Sequence, residues 1–181
     1  MALKKKDMVL KYTIKVQEGL DLDKKEFARF VAKTLNDKRG WTKLYKNKLK
    51  FKQVGLNERA DFHINMVTGD VVHKICGFEN LSCADRSDSN IYLNYTNWTE
   101  GSPTLREGYG KTWKIDCKRY VLNHELGHLL QMGHSLKTYK PHEKMSVMVQ
   151  QTIRNPGGKY HPWPELSDKE FFENYVYLNL G

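Results

Sequence analysis

The chain has 181 residues, 39% of them hydrophobic and 12% aromatic, which suits one domain with its own core and excludes a disordered chain. Its 30 Lys and Arg against 21 Asp and Glu give a formal charge of +9, a balance that favours acidic partners or anionic surfaces. No apolar run approaches the roughly 18 residues of a membrane-spanning helix, and Leu3-Lys4-Lys5-Lys6 leads straight into an alternating stretch rather than a signal peptide, so the cytosol is the default expectation.

Residues 9–17 alternate apolar and polar and predict a first strand. Asp21 or Asp23 is placed to cap a helix in which Phe27, Val31 and Leu35 recur at helical spacing until Gly40. Residues 49–54 and 61–67 predict two more strands, with Phe62, Ile64 and Met66 on one face of the second. Residues 71–75 read as a further strand, followed by a polar loop through Cys83 and Ser89. Residues 91–95 then predict a strand near a sheet edge. Residues 100–110 read as loop and 119–131 as the clearest helix. Little regular structure is expected over 141–164, before Ser167 and Glu170 cap a final helix. No repeat or linker divides the chain, so residues 1–181 are expected to form a single domain of α+β, three-layer α/β/α-like architecture.

Two side features remain open. The basic stretch 43–52, with Tyr45, Leu49 and Phe51 between its lysines, reads first as a solvated loop and strand edge and only second as a nucleic-acid face. Of the three cysteines, Cys76 and Cys83 are the better candidate pair, with free thiols equally expected in a cytosolic protein; Cys117 is the third.

The chemistry is concentrated in His124-Glu125-Leu126-Gly127-His128. Four residues on a helix separate two side chains by about 40° and one turn, so both imidazoles can reach one metal ion. Leu122, Leu126, Leu129 and Leu130 form an apolar stripe on the other side, which lets the helix pack while presenting its histidines to a cleft. His134 is the third candidate ligand, but on a continuous helix it would lie about 9 Å beyond His128 along the axis, so the helix must end between them. Three imidazoles suit zinc and leave a fourth position for water, with Glu125 available to take the water's proton. His63 and His73, in expected strands, and His142 and His161, in expected loops, read as structural or solvated, although either of the last two could line the cleft.

The histidine spacing resembles that of the metzincin clan of zinc peptidases, whose motif His-Glu-x-x-His-x-x-Gly-x-x-His is followed by a turn carrying a methionine beneath the metal. Ser146-Val147-Met148 looks like that turn, with Met148 preferred to Met145. The clan's turn glycine falls on Gln131, so either Gln131 adopts a left-handed backbone at a cost of roughly 1 to 2 kcal/mol or the reversal moves to Gly133. Where some clan members place an extra tyrosine ligand, this chain has Gln150. More closely, the chain is similar to a poorly characterised family of bacterial metzincin-like domains. That likeness rests on Asp37-Lys38-Arg39-Gly40-Trp41-Thr42, Cys76-Gly77 with Ser82-Cys83, Tyr120 to Glu125, Val147-Met148 followed by Gln150-Gln151-Thr152, and Pro162-Trp163-Pro164.

The resemblance implies a metzincin-like fold: a twisted mixed sheet, a zinc-binding active-site helix, a methionine turn and a C-terminal helix. The strand at 91–95 would then border the cleft. It also implies a Zn2+ metalloendopeptidase with His124, His128 and His134 on the metal, Glu125 as general base and Met148 as the structural turn methionine. The expected partner is a protein or peptide substrate, the expected state a monomer, and nucleic acid is not expected. The alternative is a catalytically inactive or regulated zinc-stabilised module whose basic surface binds nucleic acid or an acidic partner.

Overall fold

A computed structural model of the chain describes residues 8–44, 47–165 and 168. Strand β1 (Met8–Val16) is flanked on one side by β2 (Leu49–Gln53) and on the other by β3 (Phe62–Val67). Beyond β3 lie β5 (Asn90–Asn94) and then β4 (Cys83–Asp85), giving a mixed five-stranded sheet of order β2-β1-β3-β5-β4. All neighbours are parallel except the outermost β4, which runs antiparallel to β5.

The period of two along each strand decides which side chains enter the core. Phe62, Ile64 and Met66 of β3, with Ile91 and Leu93 of β5, join one large apolar cluster. Val67 and Tyr92 point to the opposite face, where they meet Val72 of helix α3 (Gly69–Cys76) and Cys83. The major face is covered by α1 (Lys24–Leu35) and the long α6 (Trp113–Leu129), which contribute Phe27, Val31, Tyr120, Leu122 and Leu126 to the large cluster. Helices therefore lie on both faces of the sheet, the three-layer α/β/α-like arrangement expected from the sequence.

Several boundaries differ from the sequence reading, each for a local reason. Helix α1 starts after Asp23, whose carboxylate accepts from the backbone N–H groups of Lys25 and Glu26 at 2.8 and 3.0 Å. It ends at Leu35 rather than near Gly40, because the Asn36 carboxamide bonds both the N–H and the C=O of Phe51, each at 2.9 Å, in place of a neighbouring strand. A four-residue helix α2 (Trp41–Leu44) follows. Residues 71–75 are helical, within α3, and not a strand; short apolar runs do not distinguish the two. Gly77 closes α3 at φ 78°, a backbone angle that glycine adopts without steric cost.

The strand expected near a sheet edge at 91–95 is β5, one strand in from the edge; β4, inside the expected polar loop, forms the edge itself. The expected loop at 100–110 contains the end of α4 (Tyr95–Glu100), capped by Asn94, and all of α5 (Pro103–Tyr109). Ser102 caps α5 and Pro103 stands in its first turn, a start signal that the sequence reading passed over. A short 3-10 turn (Gly110–Thr112) then leads into α6, six residues earlier than expected. The predicted C-terminal helix capped by Ser167 lies outside the described residues. Among those residues, no helix is long and apolar enough to cross a membrane.

Candidate metal centre

Helix α6 carries the first two histidines and Glu125 on successive turns. His124 and Glu125 are each 6% exposed, and His128 is half-buried. After Leu129 the helix closes in a reversal. The Gln131 N–H donates to His128 O and the Met132 N–H to Gly127 O, both at 3.0 Å, a pairing in which the residue between bends left-handed. Gln131 takes that position at φ 66°, so the reversal stays on Gln131 and does not move to Gly133. The left-handed residue turns the chain and so brings His134 back over the helix end, at the steric cost a non-glycine residue carries there.

The three rings converge. The Nε2 atoms of His124 and His128 lie 3.2 Å apart, and those of His128 and His134 3.1 Å apart. Each of the two helix histidines is turned by its other nitrogen: His124 Nδ1–H donates to Val147 O at 2.7 Å and His128 Nδ1–H to Met132 O at 2.9 Å. Carbonyls only accept, so both protons sit on Nδ1 and both Nε2 atoms present lone pairs to one another. Two lone pairs at 3.2 Å repel unless a cation lies between them. Imidazole nitrogens on one tetrahedral zinc ion stand about 3.4 Å apart, given bonds of about 2.0 to 2.1 Å. The histidines thus fit a metal ion, and the His124, His128 and His134 group could hold one.

Electrostatics favour the neutral rings that metal binding requires. Burial, followed by the nearby His128 charge, lowers His124 to about 3; burial also lowers His128 to about 4. His134 is lowered as well, by burial first and then by Arg154 and Arg86. Burial pushes the Glu125 carboxyl up to about 8, a shift that a dication close by would oppose. The histidines and Glu125 open on one cleft of about 690 Å³, whose other wall includes Cys83, Ala84 and Asp85 of β4 and the apolar Ile75 and Phe78.

Beneath α6 runs the turn around Met148. Ser146 Oγ accepts from the Met148 N–H at 2.9 Å and donates to Asp168, while Tyr120 OH donates to Val149 O at 2.9 Å. The Gln151 carboxamide, fully buried, donates to the carbonyls of Ser146 and His161 and accepts from Tyr109 OH. The Ser135 N–H donates to Met148 O at 2.9 Å, which ties the segment after His134 to this turn. Met148 lies against Gly127 of the histidine helix, whereas Met145 belongs to a separate cluster with Tyr139 and Val149.

The remaining histidines lie apart. His63 of β3 pairs with Thr13 of β1, and His73 is exposed on α3 rather than on a strand. Neither His142 nor His161 lines the cleft. The sequence reading missed Arg86, Tyr120, Gln151 and Asp168 as supports of the site, since each has a partner 22 or more residues away along the chain. Cys76 and Cys83 form a disulfide that joins the end of α3 to β4, while Cys117 is a free, buried thiol.

A family model described as a protein of unknown function (DUF3152) matches residues 2–163. The chain belongs to the DUF3152 family. No curated protein matches this DUF3152 chain. Among solved structures it is similar to archaemetzincin from Methanopyrus kandleri, with a TM-score of 0.53 at 11% identity, covering 93% of this chain and 96% of that one. At that identity the likeness concerns the fold, and a metzincin-like fold is what the DUF3152 chain shares with it.

Proposed function

We propose that this protein is a zinc-dependent endopeptidase built as a single catalytic domain over residues 1–181. The observation that carries the reading is the convergence of three imidazole Nε2 atoms, with the buried Glu125 carboxyl opening on the same cleft. The metzincin-like fold supports it.

His124, His128 and His134 would hold the zinc, which when bound would polarise the scissile carbonyl and acidify water. Glu125 accepts the proton of the attacking water on a carboxylate oxygen and returns it to the departing amide nitrogen. The Val147 and Met132 carbonyls keep the Nδ1 protons of His124 and His128, which leaves each Nε2 unprotonated and able to bind the metal. Strand β4 offers an extended substrate main-chain pairing along the sheet edge, and Ile75 and Phe78 provide apolar contact beside it. Met148 supports the helix from below and takes no part in proton transfer.

The test is cleavage of a diverse peptide library by the zinc-loaded protein, run beside Glu125→Ala with metal content measured in both. Cleavage by the parent and its loss in the variant at equal zinc support the reading. Bound zinc with no cleavage by either refutes the peptidase and favours a zinc-stabilised binding module.

A further inference from the structure

We propose that Arg86 is a positioning residue for the metal site, holding His128 and the cleft-edge strand β4 in one rigid unit; this rests on reading the three histidines as zinc ligands. Arg86 directly follows β4, and its guanidinium reaches across to the end of α6. Nε donates to His128 O at 2.8 Å and Nη2 to Met132 O at 2.7 Å. Met132 O is also the acceptor of His128 Nδ1–H at 2.9 Å. A carbonyl oxygen has two lone pairs, and here one orients the ligand ring while the other is held by Arg86.

The two carbonyls bracket the strained reversal, since Gln131, at φ 66°, lies between His128 and Met132. Without the guanidinium, Met132 O would be free to swing as that strain relaxes, and the His128 ring would lose its fixed tautomer and direction. Such partners of metal-ligating histidines are worth about 10- to 100-fold in metal affinity. The two bonds leave from two different nitrogens of one planar fork, a geometry that the single nitrogen of a lysine does not match. The other end of β4 is fixed by the Cys76–Cys83 disulfide, so the strand is anchored at both ends to elements that border the cleft.

The sign of the effect separates position from charge. A guanidinium beside the site repels a cation, so a residue acting through charge alone would tighten zinc binding when removed. A positioning residue would weaken it. The experiment measures zinc dissociation constants by chelator competition for the parent, Arg86→Ala and Arg86→Lys, with far-UV circular dichroism as the check on folding. The expected result is a 10- to 100-fold weaker affinity for Arg86→Ala and an intermediate loss for Arg86→Lys, which keeps the charge and one bond. If Arg86→Ala fails to fold, a loss of threefold or more in Arg86→Lys carries the proposal and a smaller one overturns it. Unchanged or tighter zinc binding by folded Arg86→Ala overturns it as well. A parent that binds no zinc overturns the metal site itself, and the role of Arg86 falls with it.

Discussion

Gly127 and Met148 touch so closely that a Cβ on Gly127 would lie 2.3 Å from the Met148 sulfur. Between the two histidines of α6, the chain has given up a side chain so that the methionine can pass directly beneath their turn of helix. Gly127→Ala is therefore expected to destabilise the protein by about 2 kcal/mol, because overpacking outweighs the helix propensity gained, which is at most about 1 kcal/mol. In a Met148→Ala background the added methyl enters space vacated by the thioether, with Trp41 at 3.1 Å still a close neighbour, and the same substitution should cost much less. Urea denaturation of the four proteins of this cycle measures the coupling; additive effects would mean that the two residues do not share space.

What could be read from the sequence follows the range of each interaction. The spacing of His124 and His128 lies within one helical turn, and the need for a reversal before His134 follows from helix rise alone, so the three converging histidines could be named without a structure. The strands with clean alternation, β1 and β3, could be placed for the same reason. Helix α3 could not, because Val71, Val72 and Ile75 fit either period over so short a run. Arg86 was illegible for a different reason: its partners lie 42 and 46 residues away, and nothing in Asp85-Arg86-Ser87 announces them. Strand β4, which forms the edge beyond β5, was illegible for the same reason, since strand order is set by pairings that local sequence does not contain.

The reversal at Gln131 gives a stabilising substitution. A side chain at φ 66° carries roughly 1 to 2 kcal/mol of strain. Glycine removes it but gains about 0.5 to 1 kcal/mol of unfolded-state entropy. Gln131→Gly should therefore raise stability by roughly 0.5 to 1 kcal/mol, and Gln131→Val, branched at Cβ, should lower it. Thermal unfolding of the metal-free proteins measures both; a glycine variant less stable than the parent would show that Gln131 makes compensating contacts.

The Cys76–Cys83 bridge, spanning seven residues, limits the unfolded chain less than a long loop would, yet it fixes β4 at the mouth of the cleft. Replacing both cysteines with serine should remove about 2 kcal/mol by the chain-entropy relation. The loss should appear in denaturant midpoints and be matched by the parent under a strong reductant. No change on reduction would indicate that the bridge adds no stability to the fold.

Zinc itself should act as a stabilising ligand. The Nε2 atoms are gathered only in the folded chain, so zinc binds the native state in preference to the unfolded one. At free zinc 100 times the dissociation constant, stability should rise by about 2.7 kcal/mol, seen as a higher Tm that a chelator reverses. His128→Ala leaves two ligands and removes the ring that stands between the other two, so its Tm should not respond to zinc. Glu125→Ala, which keeps all three imidazoles, should respond as the parent does even if it cleaves nothing. This contrast divides metal binding from proton transfer: an unresponsive Glu125→Ala would make the carboxylate part of the metal site rather than a base beside it.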